Sequence, residues 1–282
     1  MICKKCGNEI PYNGKINKRN VISKLLLMIF TTVAVLLIAI VIMRTAKEEK
    51  SSKGFINAEG YYIFGSYEQD GNESNGPEPI EWVILDENEN GTLLISRYVL
   101  DCVQYNTVEV EVTWESCSLR YWMNNEFYNT AFDDSMKANI NTVTIVNEDN
   151  QLFGTPGGNN TSDKVFCLSV SDILKYYDFN SWYSDKGYGF SQALITPATK
   201  YAESRGVYTE TVTNDDYTDM LSENKYSEDC IGMTGAYWWL RSPGNDSSCA
   251  CFVYDAGSAG AYSRIHADSD DRGVRPALYI NK

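Results

Sequence analysis

The sequence contains a single histidine, His266, and only seven prolines among its 282 residues. One histidine excludes a metal site built from several imidazoles, and so few prolines exclude a collagen-like or proline-rich chain. No internal repeat and no G-x-S-x-G nucleophile elbow is present. We therefore expect His266 to lie solvated on a C-terminal strand, we assign no catalytic residue, and we expect no catalysis.

Positive charge is scarce after the first 53 residues. Residues 1–53 hold ten basic and three acidic residues, a net charge of +7, whereas residues 54–282 hold 14 basic and 35 acidic residues, a net charge of -21. An acidic domain of this kind repels phosphate backbones, so we expect no nucleic-acid partner. At 43% hydrophobic and 13% aromatic residues, the chain is apolar enough to fold.

The one long uncharged run extends from Leu25 to Met43, over 19 residues. A bilayer core of about 30 Å needs about 20 helical residues at 1.5 Å each. A buried helix of a soluble protein would carry a polar stripe, and the hydrophobic part of a signal peptide is shorter, about 7–15 residues. We predict an uncleaved single-pass transmembrane helix over residues 21–43, followed by a linker over residues 44–57.

The flanks of this run predict its orientation. Six basic residues precede it, and the four that follow are interleaved with Glu48 and Glu49. Because basic flanks remain in the cytoplasm, we expect a protein of the cell membrane with a cytoplasmic N-terminus and an extracytoplasmic C-terminal domain over residues 58–282.

The predicted cytoplasmic tail, residues 1–20, resembles half of a zinc ribbon. Cys3 and Cys6 have the C-x-x-C spacing of zinc ligands, and Gly7 permits the tight turn between them. A structural zinc site needs four ligands, yet residues 7–24 contain neither Cys nor His. One chain therefore provides no zinc cofactor site; two chains together could share one through Cys3 and Cys6, or the tail is a relic that binds no metal.

The rest of the chain mixes helical and strand patterns. A hairpin is predicted from residues 79–86 and 92–99, and a helix opens at Thr113–Ser116 with Leu119, Trp122, Met123 and Phe127 on one apolar stripe. A helix is expected at 133–140 and a polar loop at 209–229. Further strands are expected at residues 237–241, 249–255, 261–266 and 273–280. The pattern predicts a single α+β domain.

Several short sequence motifs follow one another along this domain, each occurring once. They are Glu81-Trp82, Thr113-Trp114-Glu115, Ser118-Leu119-Arg120, Trp238-Trp239-Leu240-Arg241-Ser242-Pro243-Gly244 and Gly273-Val274-Arg275-Pro276-Ala277-Leu278. Their order resembles the bacterial domain-of-unknown-function family 6273 over about residues 58–281. The closing pattern is also similar to C-type-lectin-like folds of the sulfatase-modifying-factor type. That likeness implies a last sheet made of the aromatic-Leu-Arg strand, a hairpin and the final Gly-x-Arg strand.

These resemblances imply a surface module that binds a ligand in the cell envelope, either a glycan or a protein. We expect the ligand at the segments 244–248, 256–260 and 267–272, which would cluster at one edge of the last sheet. Asn245, Asp246 and Tyr262 are the predicted contact residues, because short polar side chains and a flat ring suit sugar hydroxyls. The alternative is that these are ordinary hairpin turns.

Six cysteines follow the predicted membrane helix, an even number compatible with up to three disulfides. Cys249 and Cys251 lie two apart on one strand, so they should share a face and cannot easily bridge each other. The sulfatase-modifying oxidases use a more widely spaced cysteine pair near this part of their fold, so the resemblance implies, as an alternative function, an oxidase of that type that uses Cys249 and Cys251. A purely structural envelope protein is a further alternative.

Two arginines and two tryptophans of the last two motifs have predicted positions in the last sheet. The guanidinium groups of Arg241 and Arg275 should bind carboxylates or carbonyls, because buried arginines are nearly always paired. Alternation along the strand should place one of Trp238 and Trp239 in the core and the other outward or under a loop.

Overall fold

A computed structural model describes residues 18–177, 188–215, 228–260 and 265–282. The chain divides into two compact units, Met1–Glu49 and Lys50–Lys282. Cys3 and Cys6 of the predicted tail and Tyr262 of the predicted ligand site lie outside the described residues.

A single long helix, α1 (Lys18–Lys53), accounts for the described part of the first unit. Its stretch Leu26–Met43 covers 18 residues with a mean hydropathy of 3.0, and none of that stretch is buried. At 1.5 Å per residue the stretch measures about 27 Å, close to the thickness of a bilayer core. Among the described residues this is the one helix long and apolar enough to span a membrane. Residues 44–53, expected as linker, continue the same helix.

The larger sheet of the second unit has seven strands, which are β1 (Phe55–Ile56), β2 (Tyr62–Tyr67), β3 (Glu78–Asn88), β4 (Gly91–Ser96), β6 (Ile140–Asn141), β9 (Val165–Phe166) and β17 (Ala277–Ile280). Their order in the sheet is β1-β2-β3-β4-β17-β6, with β9 also paired to β17. The predicted hairpin is confirmed as β3–β4. Gly91 closes it at φ +117°, where a Cβ would lie 2.1 Å from the carbonyl oxygen of Ile280, so only glycine fits.

The second sheet has six strands, which are β5 (Asp101–Cys102), β10 (Tyr188–Phe190), β13 (Trp238–Pro243), β14 (Ala250–Val253), β15 (Ser258–Gly260) and β16 (Gly273–Val274). Their order in the sheet is β10-β15-β14-β13-β16-β5. Two further sheets have two antiparallel strands each: β7 (Val143–Ile145) with β8 (Thr161–Asp163), and β11 (Thr209–Thr211) with β12 (Thr234–Ala236). The strand β11 lies in the segment predicted to be a loop.

The helices of the second unit are short. They are α2 (Ser118–Trp122), a π-helical turn (Met123–Phe127), α3 (Tyr128–Ala131), α4 (Asp134–Lys137), α5 (Val170–Tyr176), α6 (Lys200–Ser204) and two 3₁₀ turns (Gln192–Leu194 and Glu228–Cys230). Helix α2 begins later than predicted, because Cys117 is its N-cap and accepts a hydrogen bond from the Arg120 amide. Leu119, Met123 and Phe127 are buried, which confirms most of the apolar stripe as core.

The predicted last strand is in fact two strands in two sheets. Strand β16 pairs with β13 and β5 in the six-stranded sheet, whereas β17 pairs with β4, β6 and β9 in the seven-stranded sheet. Arg275 and Pro276 connect them, and Pro276 has no N–H with which to continue a ladder. The α+β class is confirmed, while the single closing strand is a wrong prediction.

Candidate functional site

The segments predicted to bind a ligand do not gather at one edge. In the β13–β14 pair, Pro243 lies opposite Ala250 and Trp238 opposite Val253. Residues 244–249 therefore turn at one end of this pair, and residues 254–257 turn at the other end. Successive turns of antiparallel strands lie at opposite ends, so the predicted clustering is wrong. Residues 258–260, also predicted as ligand loop, form strand β15.

The first end carries Asn245 and Asp246, and we call it the polar end. The Asp246 carboxylate is exposed and accepts hydrogen bonds from the Ser248 amide at 2.9 Å and the Ser248 hydroxyl at 2.7 Å. The bond from the Ser248 hydroxyl is the main cause of a lowered Asp246 pKa. The side-chain oxygen of Asn245 is buried and has no hydrogen-bond donor among the described residues.

His266 lies at the same end, exposed as predicted. Its backbone forms an isolated antiparallel bridge with Cys249, and its Nδ1 lies 3.0 Å from the Glu109 Oε1. Glu109 reaches this point because two backbone hydrogen bonds hold its segment, one from Asn106 to Ala267 and one from Val112 to Ser247, each 2.8 Å long. Glu109 was not predicted, since no local pattern in the sequence connects residue 109 to residue 266.

The cysteines of the second unit, Cys102, Cys117, Cys167, Cys230, Cys249 and Cys251, are all free and buried. The Cys249 Sγ lies 3.5 Å from the Asp246 Oδ2, while the Cys251 Sγ lies 3.2 Å from the Pro243 carbonyl oxygen. Burial raises the pKa of Cys249 to about 11, and the negative charge of Asp246 adds to the effect. The two thiols considered for oxidase chemistry thus have different partners.

The second end of the β13–β14 pair is formed by Tyr208, Tyr237 and Tyr254, and we call it the aromatic end. The ring centroids of Tyr208 and Tyr237 are 4.5 Å apart, and those of Tyr237 and Tyr254 are 5.4 Å apart. Tyr208 is 39% exposed and Tyr254 is 37% exposed, so the outer ring surfaces face solvent. The Tyr208 hydroxyl donates to the Glu210 carboxylate at 2.6 Å, which is the main cause of a raised Tyr208 pKa.

The buried side chain of Arg272 packs on the Tyr237 ring of the aromatic end and on the neighbouring Phe252 ring. The Arg272 guanidinium carbon lies 4.6 Å from the Phe252 ring centroid and 5.2 Å from that of Tyr237. Both distances are within the range of cation–π attraction. The aromatic end was not predicted from the sequence, because Tyr208 is remote from Tyr237 along the chain. The Tyr237 amide donates to the Tyr208 carbonyl at 3.0 Å, which brings the two residues together.

Trp238 and Trp239 lie between the two ends, and both are fully buried. Of the two positions predicted for the second tryptophan, outward or under a loop, the outward one is not observed, because both faces of β13 are covered. The position under a loop agrees with Trp239, which contacts the loop residue Val103. The Trp239 indole donates to the Val103 carbonyl at 3.0 Å, and the Trp238 ring packs 5.0 Å from the Arg275 guanidinium carbon.

The predicted structural roles of Arg241 and Arg275 are confirmed. Arg241 forms an ion pair with Asp172 and donates to the Cys167 carbonyl at 2.9 Å. Arg275 donates to the Ser96 carbonyl at 2.9 Å, so its guanidinium joins the two sheets. Neither side chain is free to capture an anionic ligand.

One acidic group lies apart from both ends. Glu68, Asp70 and Glu78 have carboxylate oxygens within 4.8 Å of one another. Backbone amides of Gln69 and Asn72 already donate to these oxygens at 2.7–2.9 Å. The group is explained by the turn that it stabilises.

Together these features define an α+β domain with one polar and one aromatic surface. The same chain carries a helix long and apolar enough to span a membrane. The chain belongs to the family described as "Domain of unknown function (DUF6273)", whose sequence profile matches residues 89–282. Comparison with curated proteins and with solved structures finds no match in either set.

Proposed function

We propose that this protein is a bacterial surface protein, anchored by one membrane-spanning helix with its N-terminus in the cytoplasm. Its second unit is an extracytoplasmic, lectin-like module that binds an envelope ligand. The unburied apolar stretch Leu26–Met43 supports the anchor, because such a surface is unfavourable in water. The larger number of basic residues before the stretch supports the orientation.

The arrangement of the six-stranded sheet supports a lectin-like module. The aromatic-Leu-Arg strand β13, the hairpin β14–β15 and the Gly-Val strand β16 all belong to this one sheet. This is the arrangement that the closing pattern implies for such folds, apart from the departure of β17 to the other sheet.

The aromatic end is the observation that carries the choice of ligand, a saccharide of the cell envelope. Tyr208 and Tyr254 both pack on Tyr237 there, and each of the two is more than a third exposed, at 39% and 37%. Ring faces bury the apolar side of a sugar, and phenol hydroxyls bond its polar groups at a low cost in conformational entropy. The Glu210 carboxylate beside Tyr208 adds an acceptor for sugar hydroxyls.

Binding of the detergent-solubilised full chain to isolated peptidoglycan tests this proposal. We expect Tyr237→Ala and Tyr254→Ala each to weaken binding about tenfold, which corresponds to about 1.4 kcal/mol. Tyr254→Phe should retain most of the affinity, since the ring remains. Tyr121→Ala is the matched control, because Tyr121 is 65% exposed on helix α2, outside the aromatic end.

Absence of binding to peptidoglycan would overturn the choice of saccharide. Binding that survives both tyrosine variants but falls when Asn245, Asp246 and Tyr262 are changed together to alanine would move the site to the polar end. Equal losses in Tyr121→Ala and Tyr237→Ala would indicate non-specific adhesion.

A further inference from the structure

We propose that Asp246, Cys249, His266 and Glu109 at the polar end form a binding site for a divalent transition-metal ion, with Zn²⁺ as the best match. This proposal does not depend on saccharide binding at the aromatic end. It concerns residues after the membrane helix and is separate from Cys3 and Cys6 of the tail.

The four side chains offer the donor atoms that zinc prefers. A thiolate, an imidazole nitrogen and two carboxylate oxygens make a mixed tetrahedral set, and zinc takes each of these ligand types in proteins. Calcium and magnesium prefer all-oxygen sets, so a thiol and an imidazole favour a softer ion. The sole histidine of the chain is one of the four.

Within each of two pairs of side chains, the donor atoms are separated about as far as two ligands of one tetrahedral ion. With Zn–S of about 2.3 Å and Zn–N or Zn–O of about 2.0–2.1 Å, adjacent sulfur and oxygen ligands lie about 3.5 Å apart, and nitrogen and oxygen ligands about 3.3 Å apart. Cys249 Sγ and Asp246 Oδ2 are 3.5 Å apart, and His266 Nδ1 and Glu109 Oε1 are 3.0 Å apart. Each pair therefore already has nearly the separation that one metal ion would impose.

The backbone brings the two pairs together. Cys249 and His266 are direct partners in an antiparallel bridge, where opposite Cβ atoms lie about 4.5–5.5 Å apart. Among the described residues only Glu68, Asp70 and Glu78 bring three such ligand atoms within 4.8 Å of one another. Metal binding at the polar end thus requires side-chain rotation, and His266 and Glu109, whose side chains are 52% and 58% exposed, are free to turn.

Cys249 differs from other thiols of the second unit in what it contacts. The sulfur atoms of Cys102, Cys117 and Cys251 contact backbone carbonyl oxygens, and that of Cys167 contacts the Met123 thioether. Cys249 instead contacts a carboxylate, so its sulfur atom and an Asp246 oxygen, two atoms of the kinds that bind zinc, already lie side by side.

Cobalt(II) titration of the detergent-solubilised full chain tests the site, with Cys3→Ser and Cys6→Ser introduced in every protein to silence the tail. We expect one Co²⁺ per chain, a sulfur-to-cobalt charge-transfer band and displacement by Zn²⁺. Cys249→Ser should abolish the band, and His266→Gln should weaken binding at least about tenfold. Cys251→Ser is the matched control, because this buried thiol lies on the same hairpin and should leave the band unchanged.

A band that persists in Cys249→Ser, or that disappears in Cys251→Ser, would overturn the proposal. Should Cys249→Ser fail to fold, as judged by near-UV circular dichroism, His266→Gln and Asp246→Asn decide the matter at exposed positions. Unchanged affinity in both would equally overturn it. Peptidoglycan binding by the same variants is a separate readout, so failure of one proposal leaves the other to be judged by itself.

Discussion

The polar end and the aromatic end occupy the same two strands, yet they are built from opposite chemistry. The aromatic end consists of rings that pack on one another and on the buried Arg272. The polar end consists of a short turn whose Asp246 carboxylate accepts backbone and side-chain hydrogen bonds, next to a thiol and an imidazole. One hairpin thus contributes to two distinct surfaces, and other segments of the chain complete each of them.

The distance between the two ends makes them separable by mutation. Strand β13 has six residues, so its ends are about 17 Å apart at about 3.3 Å per residue. Substitutions more than about 7–10 Å apart with no shared partner are usually additive. The buried Trp238 and Trp239 fill the space between, and only a change in that shared core should affect both ends.

Trp239→Ala is expected to have the largest effect. Trp239 is fully buried and packs on Tyr105 and Phe252, so truncation should lower the free energy of unfolding by about 3–5 kcal/mol. Urea denaturation of the full chain in detergent measures this, and both metal and peptidoglycan binding should fall together. Trp122→Ala, at a partly buried position, is the control and should cost less. Loss of binding at one end alone would contradict a shared core.

Arg272→Lys should affect only the aromatic end. Lysine keeps the charge but lacks the planar group that lies over Phe252 and Tyr237, so we expect a loss of about 1–2 kcal/mol in stability. Peptidoglycan binding should weaken, as measured by sedimentation with sacculi, while the cobalt spectrum stays the same. A changed cobalt spectrum would show that the two ends are coupled.

The pH dependence of Cys249 alkylation tests the polar end in the metal-free protein, with a chelator present. Because the thiolate reacts and the Cys249 pKa is raised to about 11, the rate should rise about tenfold per pH unit from neutral pH towards that value. Asp246→Asn removes a negative charge beside the sulfur, so it should lower this pKa and speed alkylation at pH 8. Mass spectrometry of the labelled peptide gives the rate, with the buried Cys251 as internal reference. Slower labelling in Asp246→Asn would contradict the assigned contact.

Glu109→Gln should have the smallest effect on stability. Glu109 and His266 form an exposed pair, and such pairs contribute little, so the free energy of unfolding should change by less than about 0.5 kcal/mol. Chemical denaturation checks this. The same variant should still weaken Co²⁺ binding, and a large loss of stability without loss of metal affinity would assign Glu109 a structural role.

Local patterns predicted helices and strands correctly where burial of one face sets the spacing of the apolar residues. The β3–β4 hairpin and the stripe of Leu119, Met123 and Phe127 are examples. The α+β class and the membrane-length helix follow from the same kind of pattern. By contrast, alternation left open whether the second tryptophan faces outward or lies under a loop, because alternation cannot reveal that β13 is covered on both faces.

The candidate site was harder to predict, since it depends on contacts between distant segments. Asn245 and Asp246 were singled out for their residue types and do lie in a turn at the polar end. Glu109 and Tyr208 complete the two ends through backbone hydrogen bonds to segments more than 25 residues away. Such pairings leave no trace in spacing or composition.

The division of the closing segment between β16 and β17 bears on how the chain acquires its fold. Strand β17 lies between β4 and the strands β6 and β9, and its Leu278 pairs with Leu94. Synthesis proceeds from the N-terminus, so β17, which lies in the interior of the larger sheet, is made after every other strand of that sheet. The larger sheet therefore cannot form fully until residues 277–280 have been made, and pairing over so long a sequence separation is slow. The fold of the second unit is thus completed late, after nearly all of the residues that form its larger sheet have been made.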